Sequence, residues 1–141
     1  MPLLLAGALA LGYASAATRS QASTGPATIR VTDRLTSYLH LGTGIGSREV
    51  IGGNLYSSAG HRIGHEAAVC TFLDVKARLC HMVFTLPRGS IVVEGQLSSR
   101  LLYELAISGG TELYDNARGS VVSTSLGLQP RRDVLIFRLT G

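Results

Sequence analysis

Residues 62–97, RIGHEAAVCTFLDVKARLCHMVFTLPRGSIVVEGQL, decide the fold. Three apolar and β-branched runs, Arg62–Phe72, Leu79–Leu86 and Ser90–Leu97, are separated by two short breaks, Asp74–Ala77 and Pro87-Arg88-Gly89. Runs of this length bounded by Asp, Pro and Gly read as strands joined by tight turns. The same punctuation continues outward. Ile29–Thr32, Val50–Tyr56 (broken by Gly52 and Gly53), Leu101–Ile107, Gly119–Ser125 and Val134–Leu139 bring the set to about eight strands. No long segment repeats apolar residues at i, i+3, i+4 and i+7, which excludes long amphipathic helices. A meander of eight strands must hide its edge strands, and closure on itself does so. The expected architecture is all-β, a small antiparallel β-barrel of about eight strands. A two-sheet sandwich is the alternative.

The 141 residues make one domain, placed at 29–141, able to bury about two-thirds of the surface of its unfolded chain. Its 17 glycines suit many turns. The net charge is +4, and every basic residue except Lys76 is Arg. The arginines are dispersed from Arg19 to Arg138, and only Arg131 and Arg132 are adjacent. Nucleic-acid binders concentrate such charge beside stacking aromatics. This chain has no Trp and three Phe, so a soluble basic surface is expected and no nucleic-acid partner.

The apolar run at residues 3–11, Leu-Leu-Leu-Ala-Gly-Ala-Leu-Ala-Leu, is too short to span a bilayer and has the length of a signal-peptide apolar region. Ala14-Ser15-Ala16 supplies small residues at a cleavage site, which makes 1–16 a signal peptide and 17–28 a flexible lead-in. The pattern departs from the usual one in lacking a Lys or Arg ahead of the run. Secretion is expected if the segment is a leader, and a cytoplasmic location if it is not. No Cys follows the run to carry a lipid, so no stable membrane anchor is expected.

Centring the turn at 74–77 on residue 75 sets Cys70 directly opposite Cys80, close enough for a disulfide. A bridge agrees with export; two buried free thiols would suit the cytosol. A three-residue loop at Pro87-Arg88-Gly89 pairs Leu86 with Ser90, Met82 with Glu94 and Phe84 with Val92. One face of the sheet then carries Glu66, Cys70, Cys80, Met82, Phe84, Val92, Glu94 and Gln96. Turned inward, this face mixes apolar groups with two carboxylates, as a ligand pocket does. Turned outward, it puts two glutamates in water, where Glu usually sits.

Other constellations fail. His65-Glu66 lacks the second His of a zinc-protease helix, since residue 69 is Val. His61 and His65 share a strand face but suit surface positions better than a metal site, and the two cysteines lack zinc-finger histidines. Gly42-Thr43-Gly44-Ile45-Gly46 lacks dinucleotide-loop spacing. No metal is expected.

Three segments together resemble the allene oxide cyclase/dirigent barrel superfamily, including its bacterial members. They are Leu55–Gly64 with Cys70, Cys80–Ile91 with Glu94-Gly95, and Ala106-Ile107-Ser108-Gly109-Gly110-Thr111-Glu112-Leu113-Tyr114-Asp115-Asn116-Ala117-Arg118-Gly119. The third is the most specific, similar to the family's Gly-Gly-Thr-Gly-x-Tyr and Ala-Arg-Gly pattern. Ser108 stands for its usual Thr and Glu112 for its third Gly. The resemblance implies an eight-stranded barrel with a mainly apolar lumen. It also implies a cyclase or isomerase without metal or organic cofactor, which holds a flexible unsaturated chain in a reactive conformer.

On that reading Glu66, Glu94 and Tyr103 are the candidate catalytic residues, and Met82, Phe84, Val92 and Arg100 the pocket, with Tyr103 and Arg100 at its mouth. Cys70, Cys80, Gly109, Gly110, Tyr114 and Arg118 are structural: the glycines permit a sharp strand exit, and Tyr114 and Arg118 brace the returning loop. The partner is an apolar small molecule. A lumen packed solid with side chains excludes this reading, and a secreted, non-catalytic binding or dirigent-like scaffold is the alternative. Plant relatives form trimers, so a homo-oligomer, dimer or trimer, is allowed for. Expression with export is expected to yield a chain starting at Ala17, seen by intact-mass measurement of culture-fluid protein; an uncleaved chain retained in the cell overturns the leader.

Overall fold

In the computed structural model, which describes residues 26–140, eight strands follow one another in chain order. They are β1 (Ala27–Leu41), β2 (Arg48–Tyr56), β3 (Arg62–Phe72), β4 (Arg78–Leu86), β5 (Gly89–Leu97), β6 (Leu102–Gly110), β7 (Arg118–Leu128) and β8 (Arg131–Thr140). Each pairs antiparallel with its chain neighbour, and β1 also pairs antiparallel with β8, so the sheet closes into a barrel without an edge. The connections 42–47, 73–77, 98–101 and 129–130 lie at one end, here the upper end; 57–61, 87–88 and 111–117 lie at the lower end. The expected leader falls outside the described residues, as does most of the lead-in; its last residues, Ala27 and Thr28, belong to β1.

Side chains alternate between lumen and exterior along each strand, as the pleat requires. The lower half of the lumen is filled by Val31, Leu55, Phe84, Ile91, Val93, Val121, Leu135 and Phe137, all at most 2% exposed. Phe84 and Phe137 meet edge to face, ring centroids 5.0 Å apart. The lower end is covered by a 3-10 turn, Glu112–Tyr114. The Thr111 N–H donates to the Ser90 carbonyl at 2.9 Å and the Leu113 N–H to that of Arg88 at 3.1 Å. Glu112 adopts φ 55°, the left-handed conformation that a Gly at this position takes without strain. Arg118 donates from Nη1 to the carbonyls of Ala117 (2.7 Å) and Ser108 (3.0 Å), while Tyr114 packs half-buried against the core. Gly110 sits hard against the Ser90 and Tyr114 carbonyls.

Two readings of the sequence change. The first concerns β4–β5. Pro87-Arg88 is a two-residue turn, and Leu86 pairs with Gly89, Met82 with Val93 and Phe84 with Ile91. A one-residue slip exchanges the faces of a whole strand. Ile91 and Val93 therefore point into the lumen, while Val92 and Glu94 point outward. Burying two large aliphatic groups and leaving Glu94 in water outweighs the alternative, and Gly89 starts the strand at φ 130°, which other residues rarely adopt. The second concerns the ends of the closing strands. β1 runs on to Leu41 and β8 starts at Arg131, so Asp33 and Asp133 are strand residues paired with each other, not loop residues.

The β3–β4 register is the expected one. Cys70 faces Cys80, and their sulfurs are bonded at 2.01 Å. The bridge closes a loop of sequence separation 10, for which chain-entropy arguments give about 2–3 kcal/mol. Urea unfolding with and without reductant is expected to differ by about that amount; equal unfolding free energies would show that the bridge adds nothing to the hairpin.

Candidate functional site

The upper half of the lumen is polar. β1 supplies Asp33, β2 Glu49, β3 Glu66, β4 Arg78, β6 Tyr103, β7 Ser123 and β8 Arg131 and Asp133. All but Ser123 line a cavity of about 30 Å³, room for one or two water molecules, which Met82, Leu97 and the Cys70 side of the disulfide also line. The expected mainly apolar pocket is therefore split: the apolar part is solid, and the remaining space is polar.

Its centre is a carboxyl pair. Asp33 on β1 and Glu66 on β3 are separated by β2, where Asp33 pairs with Leu55 and Glu66 with Gly53, and the Asp33 carboxylate lies diagonally over Gly53. A Cβ at Gly53 would collide with the Asp33 carboxylate, so the glycine leaves the room in which the two carboxyls approach each other. Burial holds the Glu66 carboxyl well above the usual range, and the Asp33 charge and the shared hydrogen bond push the same way. Burial also raises Asp33. Two carboxyls in contact away from water cannot both ionise cheaply, so the pair retains a proton. Burial, then the Glu66 charge, raise the Tyr103 phenol, which stays an O–H group.

Two further acids have cations. Asp133 is held by Arg131, Nε at 3.1 Å and Nη2 at 3.0 Å from Oδ2. Glu49, fully buried, takes Arg100 and the Tyr38 hydroxyl (2.6 Å) on Oε1, with Arg78 Nε 3.4 Å from Oε2. The last is an ion pair without hydrogen-bond geometry, and Asp33 Oδ1, Glu49 Oε2 and Asp133 Oδ1 are buried acceptors with no donor among the described residues. Arg100 lies on the connection 98–101 and reaches back to Glu49, while Arg131 Nη2 donates to the Arg100 carbonyl at 3.3 Å. Arg100 thus straps the mouth of the lumen.

Of the residues read from sequence, Glu66, Tyr103, Met82 and Arg100 come together here. Phe84 is in the lumen but in its solid lower half. Val92 lies outside, half-buried beside Val83. Glu94 is on the outer surface, half-exposed, with Oε1 2.6 Å from His81 Nδ1. Sequence reading missed Asp33, Glu49, Arg78, Ser123, Arg131 and Asp133. The signal for two of them was present: Val31-x-Asp33-x-Leu35 and Asp133-x-Leu135-x-Phe137 alternate so that the acid shares the inward face. Among the described residues, no group of three or more His, Cys, Asp or Glu is placed to hold a metal ion, and no helix is long and apolar enough to cross a membrane.

No protein-family model matches the chain, and no curated protein matches it. Solved structures do. A pyocyanin demethylase superposes with a TM-score of 0.71 at 19% identity, over 81% of this chain and 100% of that one. An exo-specific intermolecular Diels–Alderase gives 0.67 at 12% identity, over 83% and 99%. The pterocarpan synthase dirigent protein GePTS1 gives 0.64 at 12%, over 81% and 87%. The fold is that of the dirigent and Diels–Alderase barrels.

The raised Glu66 carboxyl has a consequence for stability. Its folded value lies above the ordinary 4.5, so the folded state holds its proton more tightly than the unfolded chain. The contribution is complete below about pH 4.5 and is lost as pH rises through the folded value. Thermal melts are expected to show Glu66→Gln losing less stability than wild type between pH 5 and pH 8, because the amide has no proton to give up; parallel pH profiles would place the pair's titration elsewhere.

Proposed function

We propose that the protein is a cyclase or isomerase of the allene oxide cyclase/dirigent group, which engages an apolar unsaturated small molecule of polyketide, lipid or phenolic type at the upper lumen for ring closure or stereocontrolled coupling, with no cofactor in the ring-forming step. The observation that carries this reading is the Asp33–Glu66 pair at the foot of a small polar cavity. Such a pair, one carboxyl protonated and one ionised, offers a proton donor and an acceptor side by side, the requirement for polarising a carbonyl, epoxide or phenol oxygen and collecting a proton elsewhere. Tyr103 adds an O–H donor, and the Arg78 and Arg100 guanidiniums supply positive charge for a developing oxyanion. The ligand enters as Arg100 releases Glu49, its polar head at the carboxyls and its apolar chain along the mouth. Glu66 and Tyr103 keep catalytic roles in this proposal, and Glu94 has none.

The filled lower lumen and the disulfide favour a second reading, a secreted binding or dirigent-like scaffold that orients a ligand without proton transfer. One experiment separates the two. Native protein is purified, and bound small molecules are identified by mass spectrometry, then returned to wild type, Asp33→Asn and Glu66→Gln. The catalytic reading expects conversion by wild type and a 10²–10⁴-fold slower rate in the variants, with binding retained. Conversion unaffected by both substitutions overturns the acid–base role, and a ligand bound but never converted supports the scaffold.

A further inference from the structure

The two ends of the barrel differ in what they show to solvent. Every exposed large apolar side chain among the described residues lies in the upper half. Each of the four upper connections or its flank carries at least one: Ile45, Val75, Leu101 and Leu128. Val75 is 92% and Ile45 78% exposed, more than incidental surface aliphatics require. The lower connections carry Ser57, Ser58, His61, Arg88, Asp115 and Asn116, with none of these groups. Four loops far apart in sequence therefore present aliphatic tips around the mouth of one lumen, an arrangement that solubility alone disfavours.

The charges at this end point to what covers the tips. Within the four connections and the two strand residues on either side of each, the exposed charged residues are Arg48, Lys76, Arg132 and Arg100, the last paired with Glu49, against Asp74. Apolar tips ringed by cations match a surface with negative headgroups over hydrocarbon.

We propose that the upper end of the barrel docks on an anionic lipid surface, with the loop tips in the interface and the basic residues at headgroup level. The lumen mouth then faces the bilayer, where a poorly soluble ligand is concentrated. Docking rests on the distribution of exposed side chains and holds whether or not the barrel is catalytic.

The test is vesicle flotation of the full chain, on phosphatidylcholine alone and with 30 mol% phosphatidylglycerol. Binding is expected on the anionic vesicles and to weaken with salt. Ile45→Ser and Val75→Ser, at exposed loop positions that leave the core intact, are each expected to weaken it roughly tenfold. Lys76→Ala and Arg132→Ala are each expected to cost roughly fivefold on anionic vesicles, while Arg88→Ala at the lower end changes nothing. Binding that survives all four upper-end substitutions, as the apolar run at 3–11 alone would give, overturns the proposal. So does absence of binding by folded protein, or a vesicle-independent dimer that the same substitutions dissolve.

Discussion

Closure of β1 onto β8 is the constraint on which the rest of the structure depends. It removes the sheet's edges, and it assigns every strand residue to the lumen or to the outside. It also makes Asp33 and Asp133 neighbours although they lie 100 positions apart in the chain. With Asp33 lying over Gly53 beside Glu66, three carboxyl groups share a region that, among the described residues, the Arg131 guanidinium serves directly. Charge that cannot be paired or solvated is removed by protonation, and burial raises both the Asp33 and the Glu66 carboxyl.

The lumen is thereby divided by physics into two parts. Below, aliphatic and aromatic side chains from all sides fill the space at core density and hold the barrel's shape. Above, the taper of side chains is broken by acids that must find partners: Glu49 with Arg78, Arg100 and Tyr38, and Asp133 with Arg131. Breaking a buried ion pair is costly, so Arg100, half-exposed and on a connection, is the partner most easily exchanged for a ligand. The apolar plug thus supports a polar site whose strap faces outward, at the same end as the aliphatic loop tips.

Much of the fold was legible. Eight strands follow from alternating apolar runs, and the hairpin joining Cys70 to Cys80 follows from the central position of its turn. The β4–β5 register was not, because Pro87-Arg88-Gly89 reads equally well as a three-residue loop or a two-residue turn followed by a glycine. That single residue decided whether Glu94 or Val93 entered the lumen, and neighbouring Val92 and Val93 are too alike for periodicity to choose. Asp33 and Asp133 were hidden for another reason. Acids near strand ends read as turn residues, and pairing with a strand from the other end of the chain carries the ladder past them.

The sequence by itself determined what is local: strand periodicity, turn chemistry, the facing cysteines and the presence of Glu66 and Tyr103 on candidate strands. Tertiary structure decided which acids meet. Side-chain alternation says that two residues share a face but not that the face closes on itself, and Gly53 reads as a strand interruption until Asp33 and Glu66 are seen to meet across it. The raised carboxyl follows from that meeting, because desolvation and charge coupling depend on distance through space and not along the chain.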